Sequence, residues 1–542
     1  MSWIDQLVVA PIVIPLLAGG VMLLLDRRQR RALAAINIGA TLAVLAIAVT
    51  LLLTSMTEEP ARAIRVYQLG NWPAQFGIVL VADKLAAVML VLTATLACTA
   101  LLYALAHWHR AGSYFHPLFQ LLLMGLNGAF LTGDLFNLFV FFEVLLAASY
   151  GLALYGSGRA RVSASLHYIT INLVGSSLFL IGVSLIYGTA GTLNMAALGD
   201  HFQALDASNR RLLEIGAAIM GVAFLVKAAA WPIGFWLPPL YAAAIAPVAA
   251  IFAIMTKVGI YVILRLGAIT WDAGAGASLF YGEGWLFAIG IVTIGFATIG
   301  MLATQDLPHL AGYSVLISSG TLLATLGIGG SGMTGAALFY LVSSTLAVSA
   351  FFLLVELIGR GRSLGDDVLA VTLELYGAEE EEEGVEEEVG IAIPVIVAVL
   401  GFGFLACALL LSGLPPLSGF IAKLGILSNM LMQHRFSGTG VLAYQTWIML
   451  SAVLLSGLAT VVALMRTGVR VFWTFEERVL PQARGIELAA IGILLFLCVV
   501  LTVQAGPVMR FMQSAGLELE LGRPYIDTVV SPTRAQPSER VP

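Results

Sequence analysis

Residues 224–241 read FLVKAAAWPIGFWLPPLY. The composition suits a membrane-spanning helix, yet the stretch holds Lys227 and three prolines, Pro232, Pro238 and Pro239. Hydrocarbon penalises both a charge and an unsatisfied backbone. A chain that keeps them together has a use for a polar break inside a span. A second stretch repeats the ingredients. Residues 391–432 hold the pair Pro415-Pro416 and Lys423, and both stretches exceed the length that one straight helix needs.

The rest of the chain supports a membrane setting. Its 542 residues are 59% hydrophobic and 11% charged, with a mean hydropathy of +0.95. An ordinary soluble domain carries about 25% charge. The formal net charge of −5 leaves no basic footprint for nucleic acid. Cys98, Cys407 and Cys498 lie far apart in apolar runs and read as small buried hydrophobes. The N-terminal LVVAPIVIPLLAGGVMLLLDRRQRR has its positive charge after the apolar run, so it reads as a first spanning helix rather than a cleavable signal.

Counting about 20 apolar residues per crossing, the sequence predicts an all-α polytopic membrane protein with about fourteen spans. They run roughly over 6–25, 33–54, 80–105, 115–132, 134–155, 166–188, 212–243, 247–269, 285–303, 309–329, 334–358, 391–432, 444–465 and 486–505. With the N-terminus outside, thirteen arginines fall in cytoplasmic loops and six in outer ones before the tail. That bias favours both termini outside, in a bacterial cytoplasmic (inner) membrane. The two overlong spans are the seventh and the twelfth, five apart. An odd offset implies inverted repeats, here spans 4–8 and 9–13, with discontinuous helices 7 and 12. The expected units are therefore 1–110, 111–270, 271–470 and 471–542. The second repeat carries an acidic cytoplasmic loop at 373–390, LELYGAEEEEEGVEEEVG. Like charges at this density keep a linker extended, and they would also concentrate cations or dock a partner.

Lysine usage is selective. Four lysines stand against twenty-three arginines, and Lys227, Lys257 and Lys423 all fall inside spans, with Lys84 at the edge of one. Arginine stays protonated, whereas a lysine taken out of water can give up its proton. A charge at the bilayer centre costs at least about 2.5–3.5 kcal/mol, so three such lysines need a purpose. Glu143, mid-span in LFNLFVFFEVLLAASYGL, is a partner for Lys227 or for Lys257. Breaks at Pro232, Pro238, Pro239, Pro415 and Pro416 free backbone groups beside Lys227 and Lys423. His107, His109, His116, His201 and His434 read as loop residues. His167 and His309 sit at the cytoplasmic starts of spans 6 and 10, where each either passes protons or is simply solvated. Ser343, Ser344 and Thr345 are placed to order water between Lys257 and Lys423, unless they bond back to their own helix. No P-loop, dinucleotide fingerprint, CxxC set or HExxH occurs, and GIGGSGMTG (327–335) reads as a short outer loop. No cofactor, no metal and no enzymatic activity are expected, and the energy source is an ion gradient or a neighbouring protein.

These residues resemble the antiporter-like family, which includes the large pumping membrane subunits of complex I and the A-type and D-type subunits of Mrp sodium/proton antiporters. LTGDLFNLFVFFEVLLAASYGL, the stretch from Phe224 to Leu266, LSGLPPLSGFIAKLGIL and the acidic loop are most like the D-type subunits. The chain also ends soon after span 14, without the long extensions of the A-type subunits or of the largest complex I pump. The resemblance implies that Glu143 pairs with Lys227, that Lys257 is a central relay and that Lys423 is terminal, near an exit. Relatives carry a histidine where this chain has Ser343, so water would replace that step. The expected function is proton translocation within a multisubunit monovalent cation/proton antiporter, with other membrane subunits, lipid, H+ and Na+ as partners. A pumping subunit of complex I or of a membrane-bound hydrogenase is the alternative, and a scaffold with static charges is the third.

Overall fold

In hydrocarbon a backbone must satisfy its own N–H and C=O groups, so long apolar runs fold as helices. The computed structural model describes residues 3–26, 28–57, 63–74, 77–110, 112, 114–204, 207–272, 283–376, 394–436, 444–472 and 483–530. In chain order the helices are α1 (Trp3–Leu7), α2 (Ala10–Leu24), α3 (Arg30–Ser55), α4 (Lys84–Ala106), α5 (Phe115–Leu131), α6 (Leu135–Ala153) and α7 (Arg159–Ala190). There follow α8 (Met195–Ala204), α9 (Ala207–Lys227), α10 (Leu237–Ala243), α11 (Ala246–Phe252), α12 (Met255–Asp272), α13 (Glu283–Ala303) and α14 (Leu307–Leu326). The last are α15 (Ser331–Tyr376), α16 (Val395–Ser412), α17 (Ser418–Phe436), α18 (Tyr444–Phe472), α19 (Gly485–Val503), α20 (Ala505–Leu521) and α21 (Arg523–Val530).

Among the described residues eleven helical stretches are long and apolar enough to cross a membrane, with shorter apolar helices at Ala10–Leu24, Phe115–Leu131 and Ser418–Met432. The expected fourteen spans do not map onto these one for one. Span 12 divides between α16 and α17, and span 7 divides between α9 and α10 across a 3-10 turn, Ile233–Trp236. The interior of the molecule is built on α4, α11–α12, α14 and α15, whose apolar windows are 78–94% buried. α3, α16 and α19 are only about a third buried or less and present their apolar side chains outward, as lipid-facing helices do.

Two parts depart from the expected all-helical outline. Residues Arg65–Gln68 (β1) and Val79–Ala82 (β2) pair as an antiparallel hairpin, with Arg65 opposite Ala82. The hairpin's second strand leads into α4, whose N-terminus is capped by Asp83 through Ala86 N–H at 2.9 Å. The expected tail after the last span is instead α20 and α21. α20 folds back over the bundle, close enough that a Cβ on Gly516 would stand 2.6 Å from Ser331 O. α15 begins at Ser331, inside the stretch read as an outer loop, and continues past residue 358 to Tyr376. Residues 377–390 of the acidic segment lie outside the described residues.

One end of the bundle gathers arginines. Arg161 donates to Ala243 O, Arg466 to Leu302 O and Thr304 O, and Arg470 to Gln305. Arg360 joins Glu356 and Glu487, while Glu356 also accepts from the Trp108 indole and from Ala246 N–H. These contacts tie helix ends together at what we call the arginine-rich face. At the opposite face stands Arg265, counted among the six outer-loop arginines although the expected span over 247–269 covers it. It is buried in α12 and bridges to Asp83 at 2.5 Å. Beside it, Lys84 and Glu518 of α20 pair at 3.3 Å.

Candidate functional site

Lys227 is the last residue of α9, and the sequence after it explains why the helix stops there. Ala229 takes a left-handed φ of +55°. Pro232 has no N–H to return to the Ala228 carbonyl four residues back. Trp231 N–H leaves the helix pattern and donates to Thr293 Oγ1 at 2.9 Å. Gly234 permits the tight reversal, because a Cβ there would lie 2.2 Å from Ala229 O. The Lys227 ammonium donates to Asn172 Oδ1 of α7 at 3.1 Å and lies 5.5 Å from the Phe142 ring centroid.

Glu143 stands on α6. Its Oε1 is buried with no hydrogen-bond partner among the described residues. Its charge acts on Lys227 through space, and it pairs directly with neither Lys227 nor Lys257 in this conformation. Lys257, 1% exposed on α12, donates to Ser318 Oγ of α14 at 2.8 Å. Ser318 in turn meets Ser344 Oγ of α15 at 2.9 Å. One residue along, Ser343 Oγ meets Ser418 Oγ, the first residue of α17, at 2.8 Å. Thr345 stays out of this chain of hydroxyls and donates to Leu341 O of its own helix.

The second break shows the division of labour between proline and lysine. In an unbroken helix the carbonyls of Leu411 and Ser412 would accept from residues 415 and 416. Both are prolines, which have no N–H to give. Lys423 supplies the missing donor, reaching Ser412 O at 2.7 Å and Leu411 O at 3.4 Å. Gly413, at φ +76°, closes the turn, and a Cβ there would press on Lys423 Cδ at 2.5 Å. The break and the charge are thus complementary, since each satisfies a group the other leaves exposed.

Three cavities accompany the lysines. A void of about 10 Å³ is lined by Lys227, Asn172, Tyr168, Trp236 and Tyr241. Another of about 20 Å³ is lined by Ser318, Ser344, Tyr340, Gly419 and Leu411, between the partners of Lys257 and of Lys423. Each has space for about one water. The third, about 470 Å³, lies at the arginine-rich face and is lined by Ser163, His167, Trp236, Asp306 and His309. His309 Nδ1 bonds Asp306 Oδ2 at 2.5 Å, and His167 Nδ1 donates to Ser163 O at 2.9 Å.

The sequence reading missed Asn172, Ser318, Ser418 and Trp236. It also misplaced three histidines. His116 is buried in α5, with Nδ1 2.8 Å from Asn37 Nδ2, and His201 and His434 fall on α8 and α17. His116 is the second residue of α5, within the expected span over 115–132, and its partner Asn37 lies on another helix, which the sequence does not show. Cys98, Cys407 and Cys498 are free thiols.

Residues 132–451 match the family described as NADH:quinone oxidoreductase/Mrp antiporter, transmembrane. The chain is 53% identical to the D-type subunit of a probable K(+)/H(+) antiporter of Rhizobium meliloti, over 98% of this chain and 99% of that one. It is 30% identical to the D-type subunit of a Na(+)/H(+) antiporter of Alkalihalophilus pseudofirmus, over 97% and 99%. Among solved structures it resembles a chain of the Mrp complex from Dietzia sp., with a TM-score of 0.78 and 24% identity over 98% of this chain and all of that one. A chain of respiratory complex I from Thermus thermophilus superposes with a TM-score of 0.72 at 20% identity, over 97% of this chain.

Proposed function

The chain belongs to the NADH:quinone oxidoreductase/Mrp antiporter membrane family, and from that premise we propose that it is the proton-translocating D-type subunit of a multisubunit monovalent cation/proton antiporter. The observation that carries the reading is the state of the three spanning lysines. Each gives its ammonium to a neutral acceptor, Asn172, Ser318 or the Ser412 carbonyl, and none has an ion-pair partner among the described residues. An ammonium locked to a carboxylate holds its proton; one on a neutral acceptor can release it and re-bind. Hydroxyls and one single-water void lie between the partners of Lys257 and of Lys423.

In this reading a proton enters from the cavity beside His167, Asp306 and His309 and passes by way of Lys227, Lys257 and Lys423. Glu143 sets the timing. Drawn towards Lys227, its carboxylate stabilises the ammonium; withdrawn, it favours release onward. Residues 111–270 and 271–470 form two inverted units, each with one broken helix and a lysine beside the break. The arginine-rich face is cytoplasmic by the excess of positive charge, which sets the N-terminus outside a bacterial cytoplasmic membrane. The protein is a secondary transporter and not an enzyme, and its cation exchange depends on neighbouring membrane subunits. Sodium was the expectation from resemblance; the 53% relative is named for K(+) and the 30% relative for Na(+), which favours potassium among the monovalent cations.

The test is removal of charge in the whole complex. Glu143→Gln and Lys423→Ala each abolish pH-driven exchange in everted vesicles while the subunits still co-purify. Exchange retained in both variants contradicts the relay. Parallel assays with K+ and Na+ decide the cation.

A further inference from the structure

We propose that Trp236 is the gate between the cavity at the arginine-rich face and Lys227, and that the swing of its indole admits the water through which Lys227 exchanges protons. The proposal rests on Lys227 being a relay, as read above.

Three observations converge on this side chain. First, the wide cavity of about 470 Å³ and the narrow void of about 10 Å³ at Lys227 share one lining residue, and it is Trp236. On one side is space for bulk-like water beside His167, Asp306 and His309. On the other is space for about one molecule. The boundary between wet and dry is therefore one indole thick.

Second, Trp236 is closed but incompletely satisfied. It is 5% exposed, and its Nε1 is buried without a hydrogen-bond partner among the described residues. Its neighbours are held in place. Tyr168, whose ring centroid lies 5.1 Å from that of Trp236, shares a 2.7 Å hydrogen bond with Ser149. Tyr241 donates to Phe252 O at 2.6 Å. Among these three aromatic side chains only the indole has a donor with nothing to bond. A buried donor left unmade favours any conformation that reaches water, and the side with room for water is the cavity of about 470 Å³.

Third, the indole has a movable base. It ends the 3-10 turn Ile233–Trp236, which joins α9 to α10 across the helix break. A 3-10 stretch between two helical halves has poorer hydrogen-bond geometry than a continuous helix and often marks a functional hinge. The break that positions Lys227 thereby also carries the residue that covers it.

The experiment reads water access directly. Native Cys98, Cys407 and Cys498 are replaced by serine or alanine in the full complex, and Leu146→Cys places a thiol in the wall of the narrow void, where Leu146 is 1% exposed. A small cationic methanethiosulfonate reagent is applied from the arginine-rich side. Ala160→Cys, in the wall of the wide cavity, reports that the reagent arrives. The expected result is slow labelling of Leu146→Cys with Trp236 present and at least about tenfold faster labelling with Trp236→Ala. Trp236→Leu, which keeps apolar packing but is shorter, gives an intermediate rate and serves if the alanine variant does not assemble. Equal labelling rates for all three, with Ala160→Cys reacting normally, overturn the gate.

Labelling does not depend on transport, so the two readings fail separately. Faster labelling in Trp236→Ala, together with exchange retained in Lys227→Ala, keeps the gate and discards the relay. Unchanged labelling, together with exchange lost in Lys227→Ala, discards the gate and keeps the relay.

Discussion

At the scale of single residues, Lys227 and Lys257 each rest their ammonium on one neutral side chain, Asn172 Oδ1 at 3.1 Å and Ser318 Oγ at 2.8 Å. Lysine is so rare in this chain that each one inside a span stands out, and Glu143 stands out in a run of aromatic and aliphatic residues. Asn172 and Ser318 do not, because a lone amide or hydroxyl in a spanning helix usually bonds to its own backbone. Asn172 does both, donating to Tyr168 O and accepting from Lys227. Ser318 is set apart by geometry alone, standing 2.8 Å from Lys257 and 2.9 Å from Ser344. A hydrogen bond to a charged group is worth about 1.5–3 kcal/mol, or roughly ten- to a hundredfold in a rate. Ser318→Ala is therefore expected to slow cation/proton exchange by about that factor, whereas Ser318→Thr, which keeps the hydroxyl, retains most of it. Equal rates for the alanine variant and the native chain would remove Ser318 from the pathway.

At the scale of elements the two broken helices were legible because proline is unambiguous. Pro415 and Pro416 fall where the carbonyls of Leu411 and Ser412 would seek N–H groups, and Lys423 takes both carbonyls. What the sequence withheld was the reach of the side chain, since Lys423 bonds backwards across the break to a helix eleven and twelve residues earlier. Returning N–H groups to positions 415 and 416 sets the backbone in competition with the ammonium. The double change Pro415→Ala with Pro416→Ala is expected to lower exchange at least about tenfold while the subunits still co-purify. Native exchange in that variant would show that the break does not serve Lys423. Histidines near helix ends were the weak point at this scale. His116 reads as a loop residue although the expected span over 115–132 covers it and α5 begins at Phe115; what the sequence did not show is its burial beside Asn37.

At the scale of the whole molecule, hydropathy established an almost entirely helical membrane protein, and the antiporter-like architecture was legible from the motifs around Lys227 and Lys423. The hairpin Arg65–Ala82 and the helices α20 and α21 were not: Val79–Ala82 is apolar enough that residues 80–82 counted into the expected span over 80–105, yet it pairs as a strand, and α20 and α21 follow the last span, where no lipid imposes a pattern. α20 crosses the opposite face and pins itself to the start of α4 through Glu518 and Lys84 at 3.3 Å. Glu518 lies outside the spanning helices. Burial, and then the charge of Asp83, push its carboxyl up from 4.5 to about 7, against the pull of Lys84 and Arg265. The docked helix thus holds a proton that a free carboxyl releases, and docking is strongest below the free value. It weakens as pH rises through the window from about 4.5 to about 7 and changes little above it. Amide exchange over residues 505–530, corrected for intrinsic rates, is expected to be faster at about pH 8 than at about pH 5, and Glu518→Gln is expected to flatten the difference. A pH-independent opening in the native chain would contradict the role of Glu518 as the titrating anchor.

The central claim at this scale is that the buried lysines titrate, rather than merely carry charge. Lys257 tests it most directly, since the residue is 1% exposed and, among the described residues, its ammonium bonds Ser318 alone. Lys257→Arg keeps the positive charge but cannot release a proton. Measured as pH-driven cation exchange in everted vesicles containing the whole complex, with co-purification confirming assembly, Lys257→Arg is predicted to be as inactive as Lys257→Ala. Exchange at the native rate with arginine in that position would contradict proton transfer through Lys257 and leave a static charge in its place.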